Sequence, residues 1–312
     1  MKELLLVIYL SVIPAMILAE STGSLFNELE IGKGARASAV GMANTSVSDD
    51  SSGIYWNPAG LGRISENQVS FSYNKWFLDS SVKSAETALK LGSGSLGLGF
   101  VYVDMGEFDY IDPDGFLTGK TIRPYTIAFS AGYANQTLAY YDDFNINNAT
   151  FKLFTGMSLK FISNNDGYEN ITALVADAGA IFVFTGIADA GVSVKNLKIA
   201  TNQDISPSVN LGVSRMLFYD SINKVRAAID LHVWLDGRQE ICAGAEYSIS
   251  DYIFLRAGYM FVPGYMSSEG SISGLNGGLG VRMENFRFDY AITTDGGLGA
   301  NHSVTVIFYP AL

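Results

Sequence analysis

The stretch that decides the fold is residues 225–247, which read VRAAIDLHVWLDGRQEICAGAEY. Every odd position from Val225 to Val233 is apolar, whereas the even positions include the charged residues Arg226 and Asp230. Successive side chains of a β-strand point to opposite faces of the sheet. The alternation therefore predicts a strand with one apolar and one polar face, followed after turn residues by a second strand of the same kind.

The same pattern recurs from about residue 66 to the C-terminal end of the chain. About 14 alternating segments of roughly ten residues are separated by turn residues, and an even number of such strands is typical of bacterial membrane barrels. They lie near 66–75, 80–91, 95–104, 123–133, 150–162, 172–184, 187–197, 207–219, 222–232, 238–248, 251–261, 273–283, 285–292 and 299–309. A soluble β-sandwich or propeller is the alternative, since those folds are also rich in Gly and Tyr.

Composition favours the membrane barrel over the soluble alternative. Of the 312 residues, 48% are hydrophobic and 16% are charged, whereas a soluble domain carries about 25% charged residues. After the first 20 residues no uncharged apolar run reaches the roughly 18 residues that a membrane-spanning helix needs. An apolar chain without such helices fits an all-β, closed antiparallel transmembrane β-barrel. The net charge of −11 argues against a nucleic-acid partner.

The connections between the segments alternate between short and long. Short turns near 92–94, 185–186, 220–221, 250 and 284 would all lie at the periplasmic end of a barrel. Longer connections near 105–122, 163–171, 198–206, 262–272 and 293–298 would all lie at the outer end. The exception is 134–149, a long stretch at the periplasmic end, which is either a small helix or an extension of the strands.

The first 19 residues read as a signal peptide for export. Lys2 precedes an uncharged apolar run from Leu4 to Leu18, and Ala19 supplies a small residue for cleavage. With Pro14 inside it, this run is too short for a retained membrane anchor. We therefore predict a signal peptide at 1–19, a plug at 20–64 and an integral outer-membrane barrel at 65–312.

The segment 24–62 does not alternate and carries a set of short motifs. These are Gly34-Ala35-Arg36, Gly41-Met42, Asp49-Asp50 and Trp56-Asn57-Pro58-Ala59-Gly60-Leu61. Together they resemble the N-terminal hatch of the PorV/PorQ family, which is similar to FadL-type long-chain fatty-acid transporters. The closing hairpin, with Phe286-Arg287-Phe288-Asp289-Tyr290-Ala291, Gly297-Leu298-Gly299 and His302-Ser303, is similar to that of PorV-like proteins.

The resemblance implies a 14-stranded barrel with an N-terminal plug in its lumen. FadL-type members pass hydrophobic compounds across the outer membrane by way of a lateral opening in the wall. A PorV-like barrel instead serves type IX secretion and docks cargo or partner proteins at the cell surface. The expected partners are therefore outer-membrane lipid and either a hydrophobic small molecule or secretion-machinery proteins. Within the plug, we predict a functional hinge at Trp56, Asn57, Pro58 and Gly60.

Charged residues on the polar faces are predicted to line the lumen. They are Arg226, Asp230, Glu246, Arg256, Arg282, Arg287 and Asp289, with Lys152, Lys160, Asp177 and His232 on the same register. Because both signs occur, one interpretation is that these groups pair with one another and with the plug. The other is that Arg256, Arg282 and Arg287 hold a carboxylate or an anionic head group.

No pattern in the sequence indicates an enzyme, a cofactor or a metal site. His302 and Ser303 are adjacent on a strand, so their side chains point to opposite faces and cannot easily form a catalytic pair. Asp112 begins an acidic turn that lacks the remaining ligands of a calcium loop. Cys242, the single cysteine, forms no disulfide within the chain and is interpreted as a small residue on a strand face.

Overall fold

The structure is a computed structural model that describes residues 32–77, 79–112, 115–141, 149–201, 203, 205–263, 274–294 and 299–310. The predicted signal peptide at 1–19 and the beginning of the predicted plug, 20–31, lie outside the described residues. So do large parts of two predicted outer connections, at 264–273 and 295–298.

Fourteen antiparallel strands form one closed barrel, so the predicted fold class is confirmed. The barrel closes where the first strand, Gln68–Lys75, pairs with the last, Ala300–Phe308, with Phe71 opposite Val306. The wall strands are β1 (Gln68–Lys75), β2 (Ser81–Leu91), β3 (Gly94–Asp104), β6 (Tyr125–Tyr141), β7 (Ala149–Asn165), β8 (Asn170–Phe184), β9 (Ala188–Ala200), β10 (Ser208–Tyr219), β11 (Asn223–Trp234), β12 (Gln239–Ile249), β13 (Ile253–Phe261), β14 (Leu275–Met283), β15 (Phe286–Thr294) and β16 (Ala300–Phe308).

The two faces of the wall strands follow the alternation of the sequence. On β11 the side chain of Ile229 is 62% exposed on the outside, whereas its neighbour Asp230 is 1% exposed inside the barrel. On β15 Phe288 is exposed and Asp289 is buried. The outside is therefore an apolar surface that a bilayer would cover, and the inside is polar. No helix among the described residues is long and apolar enough to cross a membrane.

The two ends of the barrel differ in their connections. One end, here called the turn end, carries the short links 92–93, 185–187, 220–222, 250–252 and 284–285. The opposite loop end carries the connection between β3 and β6, which contains an unpredicted hairpin of β4 (Phe108–Ile111) and β5 (Leu117–Ile122). The segment 134–149 is largely strand, because β6 continues to Tyr141 and β7 starts at Ala149. Of the two alternatives for this segment, strand extension holds over its described part.

The described residues before β1 lie inside the barrel. They form helix α1 (Ala35–Ala39), helix α2 (Gly53–Trp56) and a 3-10 helix (Pro58–Arg63), joined by turns. Gly41, with a φ of +66°, provides the left-handed backbone that turns the chain after α1. Backbone amides of this segment bond to separate parts of the wall: Ala35 N donates to Thr305 Oγ1 at 2.8 Å, and Thr45 N donates to Asp230 Oδ2 at 2.7 Å.

Candidate functional site: the plug in the barrel lumen

Asn57 contacts both the plug and the wall. Its side chain is fully buried, and its Oδ1 accepts a hydrogen bond from Ala59 N at 3.1 Å, which caps the 3-10 helix. Its Nδ2 donates to Thr45 O at 2.8 Å and lies 3.3 Å from Val192 O on β9. The single side-chain amide of Asn57 therefore links the start of the 3-10 helix, the plug turn at Thr45 and wall strand β9.

The residues around Asn57 explain the rest of the predicted hinge motif. Pro58 occupies the first turn of the 3-10 helix, where its missing N–H costs nothing. A Cβ on Gly60 would lie 2.9 Å from Ser48 O, so only glycine fits there. The indole Nε1 of Trp56 donates to Lys33 O at 3.1 Å, and Trp56 O accepts from Ser193 Oγ of β9 at 3.2 Å. The structure thus places all four motif residues in one packed turn against the wall.

Inward-facing glycines of the wall let the plug backbone approach closely. A Cβ on Gly156 of β7 would lie 2.5 Å from the carbonyl carbon of Pro58, and one on Gly258 of β13 would lie 2.8 Å from Gly41 Cα. Similar contacts occur at Gly179, Gly191 and Gly244. In the sequence, Gly244 shares a strand face with Cys242 and Glu246. The recurrence of glycine at such inward positions is the signal that could have located the wall surface against which the plug packs.

A chain of alternating charges links the plug to three wall strands. Arg36 Nε of α1 lies 3.1 Å from Glu246 Oε2, and the same oxygen is 2.7 Å from Arg256 Nε. Arg256 Nη1 lies 2.7 Å from Asp289 Oδ1, and Asp289 Oδ2 is 2.8 Å from Arg287 Nε. Because low-dielectric surroundings make unpaired charges costly, these alternating pairs stabilise one another.

The plug contributes its own acids and bases to this network. Asp49 contacts Arg36 through a short ion pair and lies 3.5 Å from Arg226 Nη1. Burial alone would raise the pKa of the Asp49 carboxyl, but the Arg36 and Arg226 guanidiniums outweigh it and lower that pKa to about 2. Farther along, Arg63 Nη2 lies 3.0 Å from Asp189 Oδ2 of β9. Arg36, Asp49 and Arg63 are therefore further functional candidates in the lumen, and only Arg36 and Asp49 belong to the short motifs of the sequence.

The predicted lumen charges therefore fall into two groups. Glu246, Arg256, Arg287 and Asp289 are brought together in the network, and Arg226 borders it. Arg282 lies apart at the turn end, where its Nη2 is 3.0 Å from Glu66 Oε2. Asp230 also lies apart and holds Thr45 N. The three arginines predicted to hold an anion are each paired with a protein carboxylate.

A cavity of about 320 Å³ opens beside this network at the turn end. Its lining is mixed in charge and includes Arg36, Asp49, Arg226, Lys224 and Asp251. Neither sign of charge dominates, so the cavity is a polar vestibule next to the plug.

Towards the loop end, the side of the lumen that faces β3, β6, β7 and β8 contains a large apolar cluster. Ile54, Tyr55 and Leu61 of the plug pack with Val101 and Val103 of β3 and with further buried apolar groups of β6, β7 and β8. This set, here called the apolar cluster, also includes Ala128, Ile162, Ala173, Val175 and Ile205. The plug is therefore seated between an ionic network and an apolar layer.

The wall is irregular beside Trp56. The pairing of β8 with β9 shifts register between Ala176 and Ala178, and Asn196 of β9 has a φ of +59°. An extra residue of this kind is a β-bulge, which interrupts the ladder and bends the strand. Asp177 fills the gap from inside by accepting Asn196 N at 2.7 Å and by pairing with Lys160 Nζ at 2.9 Å.

Comparison with known proteins identifies the fold. No protein-family model and no curated protein sequence matches the chain. Among solved structures, the Pseudomonas putida toluene transporter TodX has a TM-score of 0.58 and 12% identity, covering 88% of this chain and 96% of that one. A Pseudomonas aeruginosa FadL homologue has a TM-score of 0.55 and 10% identity, covering 94% and 100%. The monoaromatic hydrocarbon channel CymD has a TM-score of 0.59 and 10% identity, covering 90% and 98%.

The chain has the fold of these FadL-type hydrocarbon channels. The likeness covers 88–94% of this chain and 96–100% of these neighbours. At 10–12% identity it shows the fold alone. The finer resemblance to the PorV/PorQ family stays a prediction from the sequence motifs.

Proposed function

We propose that this chain is an outer-membrane channel that passes hydrophobic, fatty-acid-like small molecules. The observation that carries the proposal is the apolar cluster, where Ile54 and Leu61 of the plug meet Val101 and Val175 of the wall. An apolar solute that replaces the plug side chains in this cluster would meet mainly apolar groups, so its entry would leave few buried polar groups unpaired. The fold shared with channels described as hydrocarbon transporters supports the same function.

The route that we propose runs from the loop end to the plug and then sideways through the wall. The β-bulge between β8 and β9 lies beside the plug, since Ser193 bonds to Trp56 O and Lys195 Nζ lies 5.8 Å from the Trp56 ring. Beyond the plug the lumen is ionic and unfavourable for an apolar solute. A sideways exit at the bulge would release the solute into the apolar part of the membrane.

The test is uptake of radiolabelled oleate and toluene by cells in which the chromosomal gene is deleted. Uptake is compared with and without a plasmid that carries the gene or a variant of it. Val175→Thr adds a hydroxyl to the apolar cluster at nearly constant volume, and we expect lower uptake with a barrel that still shows normal heat-modifiability on a gel. The matched control is Val213→Thr on the outside of β10, where the side chain is 54% exposed. Uptake that is equal in cells with and without the gene would refute the proposal.

Docking of secretion cargo is the second candidate, and the hairpin β4–β5 favours it. Phe108, Ile111 and Leu117 of this hairpin are large, apolar and exposed at the loop end. Exposed apolar side chains of this kind mark sites where another protein binds. If deletion of the gene abolished the surface display of secreted proteins and left solute uptake unchanged, the docking role would replace transport.

A further inference from the structure

Three groups with the chemistry of metal ligands converge inside the barrel at the loop end. His232 of β11 lies opposite Glu240 of β12 in the strand register, and Cys242 is two residues farther along β12. His232 Nδ1 lies 3.9 Å from Cys242 Sγ and 3.7 Å from Glu240 Oε2. All three ligand atoms lie within 4.8 Å of one another.

We propose that His232, Glu240 and Cys242 bind a divalent transition metal ion of the Zn²⁺ class. Zinc bonds of about 2.0–2.3 Å in a tetrahedron place neighbouring ligand atoms roughly 3.4–3.6 Å apart. The distances from His232 Nδ1 exceed that spacing by only a few tenths of an ångström. Thiolate, imidazole and carboxylate together are a ligand set that suits Zn²⁺ better than Mg²⁺ or Ca²⁺.

The surroundings of His232 supply a second, independent indication. Its other ring nitrogen, Nε2, lies 3.5 Å from Asp230 Oδ2 and makes no hydrogen bond within the described part of the chain, although the residue is 3% exposed. Histidines that bind a metal through one nitrogen usually direct the other towards a carboxylate, which orients the ring. Asp230 is therefore assigned as the positioning residue of this site.

The site is accessible and has a balanced charge. The Glu240 side chain is partly exposed beside the turn between β11 and β12, which gives an ion a path from the loop end. Cys242 is fully buried in a small apolar cluster against which Met42 and Met260 pack, and this cluster forms an apolar wall of the site. On binding, the Cys242 thiol releases its proton to solvent, so that one thiolate and one carboxylate neutralise the divalent ion. The described residues supply three ligands, and water or a solute group would occupy the fourth position.

The metal would also act on the plug. Asp230 Oδ2, which faces His232, accepts the hydrogen bond from Thr45 N of the plug at 2.7 Å. Thr45 O in turn accepts from Asn57 Nδ2. An ion that fixes His232 and Asp230 would therefore hold the plug turn that carries the candidate hinge.

The experiment is a titration of the purified full-length barrel with Co²⁺, after metal removal by a chelator and with a reductant present. A thiolate bound to Co²⁺ gives a charge-transfer absorption band, and Cys242 is the single cysteine of the chain. We expect a saturable band at one equivalent of Co²⁺, which Zn²⁺ abolishes by competition. Cys242→Ser should remove the band, and Asp230→Asn should weaken Co²⁺ affinity by about 10- to 100-fold.

The chain supplies its own matched control. It has two histidines, and His302 is exposed on β16 with its Nδ1 2.7 Å from Tyr290 Oη. His302→Gln should leave the titration unchanged, whereas His232→Gln and Glu240→Gln should each weaken binding. The proposal is overturned if the wild-type barrel, shown to be folded by heat-modifiability, gives no thiolate band at saturating Co²⁺. The proposal would be overturned equally if His232→Gln and Glu240→Gln both bound Co²⁺ with the affinity of the wild type. Neither result depends on solute transport.

Discussion

At the scale of single residues, the buried polar groups of the lumen are distinguished by how many partners they hold. The Asn57 side chain accepts a hydrogen bond from the first turn of the 3-10 helix and donates to two backbone carbonyls. The Arg256 guanidinium pairs with two carboxylates of the wall. Removing such a group leaves its partners buried without a replacement, which costs more than the bond itself contributes. The effects of substitutions should therefore follow the number of groups that are left unpaired.

The first prediction concerns Asn57. In Asn57→Ala, Thr45 O and Ala59 N lose their partner, and each buried group left unpaired costs about 1–3 kcal/mol. We expect faster protease cleavage of the plug and a lower unfolding temperature by heat-modifiability. The control is Asn210→Ala on β10, a buried asparagine whose Oδ1 accepts no hydrogen bond from any described residue. Equal effects of the two substitutions would show that Asn57 has no special role. Normal folding with altered uptake would indicate gating.

The second prediction contrasts a buried with an exposed ion pair. Arg256 and Asp289 have fully buried side chains, whereas Lys224 and Asp251 are 41% and 57% exposed. Arg256→Ala should destabilise the barrel by about 3–5 kcal/mol because it leaves buried carboxylates uncompensated. Lys224→Ala should cost less than about 1 kcal/mol because water screens the exposed pair. Urea unfolding in detergent measures both, and a similar loss in the two variants would contradict the assignment.

At the scale of elements, alternate residues of each wall strand have different roles: one set faces outwards and the other faces the lumen and the plug. Outward positions form the apolar surface, and inward positions are charged, apolar or glycine according to what part of the plug they meet. Gly156 meets the start of the 3-10 helix, and Gly258 meets the turn after α1. The wall thus has glycine, which lacks a side chain, at the positions where the plug comes closest.

The third prediction follows from that match. In Gly258→Ala the added methyl group would meet Gly41 Cα at 2.8 Å, so the plug has to shift from β13. We expect the barrel to remain closed while protease cleaves the plug more readily. Gly277→Ala on the neighbouring strand β14 is the control, because its nearest contact is Arg256 O at 3.7 Å. If protease cleaves the plug at the same rate in both variants, the close approach at Gly258 is not what holds the plug in place.

At the scale of the whole molecule, the plug lies between an ionic region and an apolar region of the lumen. The turn end has a charged vestibule, and the loop end has the apolar cluster. Arg36 and Arg63 tie the plug to two separate wall strands, at Glu246 of β12 and Asp189 of β9. Opening the lumen requires that these links loosen.

The fourth prediction tests this closure by electrical measurement. In the double variant Arg36→Ala/Arg63→Ala the plug loses both links, and we expect ion current through single barrels in a planar bilayer to rise above that of the wild type. Arg123→Ala is the control, because the pair of Arg123 with Asp104 lies at the loop end and does not involve the plug. A current in the double variant as low as in the wild type would mean that packing alone keeps the lumen closed.

The sequence by itself determined the number of wall strands and their two faces, and the resemblance of its N-terminal motifs to a known hatch indicated the plug. Alternation with a period of two is a local property of the chain, so Val225 to Val233 displays it without reference to any other strand. Trp56 to Gly60 could be singled out for the same reason, because turn chemistry is local.

Only the tertiary structure decided which groups meet. Arg36 pairs with Glu246 across 210 positions, and His232 faces Glu240 and Cys242 through the register of two strands. The closure of the barrel and the shift in register between β8 and β9 set these distances, and no local pattern encodes them. The sequence could therefore place charges in the lumen, whereas their pairing depends on contacts between residues far apart in the chain.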